Sequence, residues 1–140
     1  MNNRNLEKQV DALWSKAIHI LYEGKCARCG STIGCSPHHL IKRRYKRTRH
    51  AILNGVLLCG AKVENFGMAG EGLQTGCHQE AEENPKEFMR WLRHKQWKNF
   101  VFAEENKWPE PLKPLEQKDL LTNSKETLEW FVNNWEGQNE

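Results

Sequence analysis

The sequence predicts a small α+β domain with a Cys-, His- and Gly-rich centre and helices at both ends. Three observations carry this. Apolar residues recur at helical spacing near both termini. Residues 25–82 hold all five Cys, four of the six His and eight of the ten Gly, and no helix-period stripe runs through 25–58. Within that centre, two short apolar segments flank a polar stretch, as in a β-hairpin.

The elements follow in order. Asn5 to Tyr22 reads as a helix, with Val10, Leu13, Trp14, Ala17, Ile18 and Leu21 on one face and Gly24 as its stop. Leu40 to Arg44 and Ala51 to Leu58 read as short strands joined by Tyr45 to His50. Residues 60–76 hold five Gly and read as largely loop, mobile and protease-sensitive. Helix resumes at Cys77 to Glu83. Asn84-Pro85 then caps a helix from Pro85 to about Trp97, which presents Phe88, Met89, Leu92 and Trp91 to the core. Pro109, Pro111 and Pro114 make 106–115 an extended linker. Ser124 caps a last helix, Lys125 to Trp135, with Leu128, Phe131, Val132 and Trp135 as its stripe. The organisation expected is a packing helix over 1–24, a central domain over 25–103 with 60–76 as an insertion, and an acidic linker and helix over 104–140.

The chain has 140 residues, enough for one modest core. No apolar run exceeds four residues, Val56 to Cys59 being one, so no membrane span is expected. The N-terminus leads into no apolar signal-peptide core, so a secretory leader is not expected either. Charge is unevenly spread: residues 1–103 carry 17 basic and 9 acidic side chains, and 104–140 carry 4 and 9. A basic body fits an anionic partner.

Spaced cysteines in a chain without a leader point to metal before disulfides. Cys26-Ala27-Arg28-Cys29, followed by Gly30, is a knuckle that turns two thiolates towards one tetrahedral ion. Cys59 and Cys77 complete four thiolates for a structural Zn²⁺, although 17 residues intervene between them. Cys35 is left over as a small apolar residue. A second group comprises His38-His39, Asn54 and His78. Adjacent histidines on a strand point to opposite faces, so one can bind metal while the other does something else.

Cys26-x2-Cys29, Pro37-His38-His39-Leu40-Ile41, Asn54-Gly55-Val56-Leu57-Leu58-Cys59 and Cys77-His78-x6-Pro85 together resemble the HNH endonucleases, in particular the small zinc-containing phage and prophage type. The likeness covers about residues 25–95. It implies a ββα-metal, treble-clef-like core in a cytoplasmic protein of a bacterial host or phage-infected cell. It also implies that His38 and His78 hold a catalytic divalent metal and that His39 is the general base. Asn54 then braces the loop that orients the base, and Cys26, Cys29, Cys59 and Cys77 hold the zinc. Many relatives carry a further His where this chain has Glu82, which is then either an oxygen ligand or a solvated helix residue. The implied reaction is DNA phosphodiester hydrolysis, leaving 5′-phosphate and 3′-hydroxyl ends. A neutral imidazole with an ordinary pKa of about 6.5 suits the base role. Two His ligands suit Mn²⁺, Ni²⁺, Co²⁺ or Zn²⁺ as readily as Mg²⁺.

Lys42, Arg43, Arg44, Lys46, Arg47 and Arg49 put six basic residues within nine, directly after the expected base. Their expected role is contact with the phosphates of double-stranded DNA. Tyr45 is left open between stacking and packing. Trp91, Trp97 and Phe100 are expected to pack. The acidic tail either packs on the body or contacts a phage or host protein. Two other functions compete: a noncatalytic zinc-binding nucleic-acid adaptor of the same fold, and a zinc-stabilised interaction module docking through the Trp-rich tail.

Overall fold

The computed structural model describes residues 2–63 and 73–138. Helix α1 (Asn3–Leu21) opens on Asn2, whose side chain accepts from the Asn5 N–H. It ends where the chain turns left-handed at Glu23 and Gly24, with Gly24 N–H donating to His19 O. Val10, Trp14, Ala17 and Ile18 are its buried face, as the stripe predicts.

Strands β1 (Ser36–His39) and β2 (Gly55–Leu58) pair antiparallel, with Ser36 opposite Leu58 and His39 opposite Gly55. The first strand therefore lies four residues before the expected Leu40 to Arg44. Leu40 to His50 instead form a turn-rich loop held by Asn54, as described below. Period-two alternation gives β1 two unlike faces. Ser36 and His38 share a face with Leu58 and Val56, which lie in a core of Cys26, Cys59, Cys77, Ala81, Phe88 and Leu92. Pro37 and His39 share the other face with Leu57, which packs with α1.

Residues 60–76 are not loop throughout. Ala61–Val63 (β3) and Leu73–Thr75 (β4) form a second antiparallel ribbon. The middle of the expected mobile loop, 64–72, lies outside the described residues. The ribbon returns the chain beside its start. A Cβ on Gly76 would come within 2.3–2.5 Å of Gly60 and Cys59 backbone atoms, so this close approach requires glycine.

Helix α2 (Cys77–Glu83) lies where expected, and α3 (Pro85–Lys95) starts on Pro85. Gln96 leaves helical geometry, and a separate α4 (Trp97–Glu105) follows. Its buried Asn99 donates to the Leu53 and Gly55 carbonyls, fixing α4 against the entry to β2. Trp97 is exposed and stacks on Phe100, contrary to its expected packing role. The last helix, α5 (Pro114–Gln138), begins eleven residues before Lys125, with Ser124 inside it. Pro114 occupies a first-turn position where its missing N–H costs nothing. Leu121, Leu128 and Val132 then bury against α1. The tail segment is thus part of the same core as the first helix. Among the described residues, no helix is long and apolar enough to cross a membrane.

Asp11 on α1 anchors the basic loop. It accepts from Arg49 Nε and Nη2 (2.9 and 2.7 Å) and from His50 Nε2 (2.6 Å). Burial opposes its charge, but these two donors outweigh burial and hold its pKa down. Burial lowers the His50 pKa, so at neutral pH an uncharged ring donates to Asp11. The two shifts act in the same sense. The unfolded state binds protons that the folded state refuses, so stability rises with pH. It is complete above the ordinary His value of about 6.5, falls below that, and falls again through the carboxylate range. Urea unfolding at a series of pH values should show this decline. His38 and His39, also lowered by burial, share its upper part. His50→Gln should make that part shallower, and an unchanged slope would rule out a contribution from His50.

Candidate metal and catalytic site

The four expected thiolates converge. The Sγ atoms of Cys26, Cys29, Cys59 and Cys77 lie within 4.8 Å of one another, with Cys29 and Cys59 at 3.6 Å. Sulfurs bound tetrahedrally at about 2.3 Å from zinc sit about 3.8 Å apart, so the cluster has the size of a four-thiolate zinc site. The knuckle is closed by Gly30 N–H donating to Cys26 O, and it hangs on β2 through Ala27 N–H to Leu57 O. Cys77 reaches the cluster because the ribbon carries α2 back, its N–H donating to Cys59 Sγ. Burial opposes ionisation of Cys26, yet surrounding hydrogen bonds bring it down to about 7. Burial, then the neighbouring Cys26 charge, pushes Cys77 far up. That mutual repulsion is what a divalent cation removes. Glu80 on α2 binds Arg28 of the knuckle (3.5 Å) and Lys62 of β3 (2.8 Å), tying the three pieces together. Cys35 lies outside the cluster, its Sγ donating to Ser31 O.

A second group forms next door. His38, His78 and Glu82 bring ligand atoms within 4.8 Å of one another. His78 directly follows Cys77 of the four-thiol cluster, and its N–H donates to Cys59 O, so the two clusters share a backbone link. The His38 and His78 rings meet edge to face at 5.0 Å, with Phe88 of α3 edge-on to His38 at 5.3 Å. Burial first, then the His78 charge, lowers His38 to about 4, leaving a neutral ring with a lone pair to offer. Glu82 Oε1 is 3.9 Å from His78 Nε2, on the same helical face one turn later.

Ser36, which is not among the residues expected at the site, is 2.9 Å from His78 Nδ1. A ligating His78 must keep a lone pair on Nε2, so its proton sits on Nδ1 and is donated to Ser36 Oγ. The signal for Ser36 is present in the sequence as alternation, two residues before His38 on the same strand face. Partners of this kind typically carry 10–100-fold in metal affinity. Ser36→Ala should accordingly weaken Ni²⁺ binding to zinc-loaded protein about tenfold, read by calorimetry, with zinc content unchanged. Unaltered Ni²⁺ affinity would reduce Ser36 to packing.

His39 faces the opposite side of β1. Its ring stacks on Trp14 of α1, with centroids at 4.1 Å and planes 16° apart. Gly55 opposite makes room: a Cβ there would lie 2.5 Å from Trp14 Cζ2 and 2.9 Å from Ile18 Cδ1. His39 Nε2 is 3.0 Å from Arg49 O. A carbonyl only accepts, so Nε2 carries the proton and Nδ1 keeps its lone pair. Burial is the main reason that its pKa falls to about 4, well below the ordinary value expected from sequence. Asn54 is fully buried. Its Oδ1 accepts from Ile41 N–H (2.7 Å), and its Nδ2 donates to the Ile41 and Thr48 carbonyls (3.1 Å each). It thereby staples both ends of the loop whose Arg49 carbonyl holds His39.

The basic run divides. Lys42, Arg43 and Arg44 are exposed, and Arg44 lies over the Tyr45 ring at 5.0 Å. Arg47 is exposed, with Nε donating to Glu110 O. Lys46 pairs with Glu7 at 2.8 Å. Arg49 departs from expectation: it is 6% exposed, and its guanidinium is committed to Asp11 and Glu7. A side chain so placed holds the loop and is not free for phosphate. Periodicity could not show this, because Asp11 is 38 residues away.

No protein-family model, curated protein or solved structure matches the chain.

Proposed function

We propose that the chain is a metal-dependent endonuclease of the HNH type that hydrolyses DNA phosphodiester bonds. The observation that carries this reading is the pairing of two differently equipped histidines on one strand. His38 belongs to a group able to hold a cation. His39, uncharged and fixed by Trp14 and the Arg49 carbonyl, has a free Nδ1 lone pair. A scaffold alone has use for the stack and the hydrogen bond but none for the unengaged Nδ1 lone pair.

In this reading His39 Nδ1 takes the proton from the attacking water. Trp14 limits tilting of the ring, and Asn54 limits movement of the loop that sets its tautomer. His38 and His78, with Glu82 as an oxygen ligand, hold Mg²⁺, Mn²⁺ or Ni²⁺, and the four-cysteine cluster holds Zn²⁺. When bound, the divalent ion supplies stabilisation of charge on the phosphate and on the departing 3′ oxygen. The products are then 5′-phosphate and 3′-hydroxyl ends. Lys42, Arg43, Arg44 and Arg47 supply backbone affinity.

Plasmid nicking with added Mg²⁺, Mn²⁺ or Ni²⁺, and its loss in EDTA, tests the reading. DNA binding without nicking under every metal would make the chain a noncatalytic adaptor. The loop has its own test. Arg43→Ala with Arg44→Ala should weaken duplex binding and lower the salt slope by about 0.9 for each phosphate no longer neutralised. Arg49→Ala should act differently, lowering the melting temperature because it removes two of the three donors that hold Asp11 and frees the loop from α1. An unchanged salt slope in the double variant would show that the loop faces away from DNA.

A further inference from the structure

A second cationic surface stands apart from the loop in sequence but adjoins it in space. Helix α3 shows Lys86, Arg90, Arg93 and Lys95 to solvent, with Glu87 the one exposed acid on the helix. Among the described residues, none of these four cations enters an ion pair. Two clefts meet at Met89. One is lined by Lys86, Arg90 and Arg93, the other by Lys42, Arg44, Lys107 and Trp108. Met89 therefore joins the basic loop and α3 into one surface. Trp108 sits at its edge with 83% of its area exposed, in the non-helical stretch between α4 and α5. The cleft's one acid, Glu104, lies 3.9 Å from Lys107.

We propose that this surface binds a single strand of DNA, with phosphates tracked by α3 and the loop and an unpaired base stacked on Trp108. Interleaved cations and an exposed indole are the combination that single strands use, because every base offers a π-face. A duplex hides those faces in its own stack, so the indole gains nothing from it. Helix α3 also backs the His cluster, since Phe88 packs edge-on to His38. The cations that line the cleft lie on the outer face of α3, opposite buried Phe88 and Leu92. The inference rests on the DNA-cleaving reading and names the form of substrate that it takes.

The test measures binding of labelled oligo(dT) and of a blunt duplex of equal length to zinc-loaded His39→Gln protein, which cannot consume the probe. Trp108→Ala should weaken oligo(dT) binding about tenfold and duplex binding less than about twofold, with Trp108→Phe restoring most of the loss. Lys86→Ala, Arg90→Ala and Arg93→Ala together should lower the oligo(dT) salt slope by about 0.7 for each phosphate no longer neutralised. Equal weakening of both probes by Trp108→Ala, or weakening of neither, overturns the proposal while leaving DNA as the substrate. If the parent protein binds neither probe, the nuclease reading fails with it. Trp108 is exposed, so zinc content and melting temperature should not change and a folding defect cannot imitate the result.

Discussion

His39→Ala should abolish cleavage while DNA and zinc remain bound. Loss of a general base typically costs about 10²–10⁴-fold in rate. The structure adds a qualification that spacing alone could not supply. His39 is stacked on Trp14 and donates to Arg49 O, so the alanine variant also loses a packing partner and a hydrogen bond to the loop. Loss of one stacked pair costs about 0.5–1.5 kcal/mol, enough to lower the melting temperature without unfolding the protein. His39→Gln separates the two effects, since its amide can still donate to Arg49 O but cannot serve as the base. Both variants should be equally inactive, with the glutamine variant the more stable. His38→Ala and His78→Ala should behave differently: they weaken a metal site, so raising Mn²⁺ or Ni²⁺ should recover part of their activity and none of His39→Ala's. If metal instead rescued His39→Ala and left His38→Ala silent, the two roles would have to be exchanged.

What could be read from sequence was whatever depends on neighbours along the chain. The α1 stripe, the start of α2 at Cys77 and the start of α3 at Pro85 are local patterns, and the structure repeats them. The opposed faces of His38 and His39 follow from strand geometry once both lie on a strand. Sequence and structure part where a local signal competes with a distant one. The apolar Leu40-Ile41 looked like the start of a strand, but pairing is set by β2, whose Leu58 meets Ser36 and leaves Ile41 to Asn54. Pro109 and Pro111 lie in a non-helical stretch, 106–113, as the linker reading has it, whereas Pro114 and Ser124 depart from it. Burial of Leu121 against α1, which local sequence does not report, lets Pro114 begin the helix instead. Proximity along the chain groups Arg49 with its basic neighbours. Asp11 reassigns it. The supports of the candidate site, Ser36 beneath His78 and Trp14 beneath His39, come from elements that only the fold brings together.

Stripping zinc should unfold the central domain, and it should do so through one residue in particular. Cys59 is fully buried directly after β2, and its polar interactions lead to different parts of the site. Its Sγ lies 3.6 Å from that of Cys29 and accepts from Cys77 N–H, while its carbonyl accepts from His78 N–H. Without metal, the four crowded thiols cannot all ionise, and the small apolar cluster around Cys26, Cys59 and Cys77 loses the metal–sulfur bonds that tie the knuckle to α2. Structural zinc in small domains contributes an apparent ~10–16 kcal/mol, as large as the whole stability of a typical domain. Cys59→Ser, or a strong chelator, should therefore remove about one zinc per chain and abolish cooperative thermal unfolding. Loss of the His78 anchor should also lower Ni²⁺ affinity at the His38 cluster, although none of its ligands has been touched. Cys35→Ser is the internal control: its thiol lies outside the four and should leave zinc content and the melting transition in place. A zinc-free Cys59→Ser protein that still melts cooperatively and binds Ni²⁺ as before would show that the four cysteines pack without a metal and that the two clusters are independent.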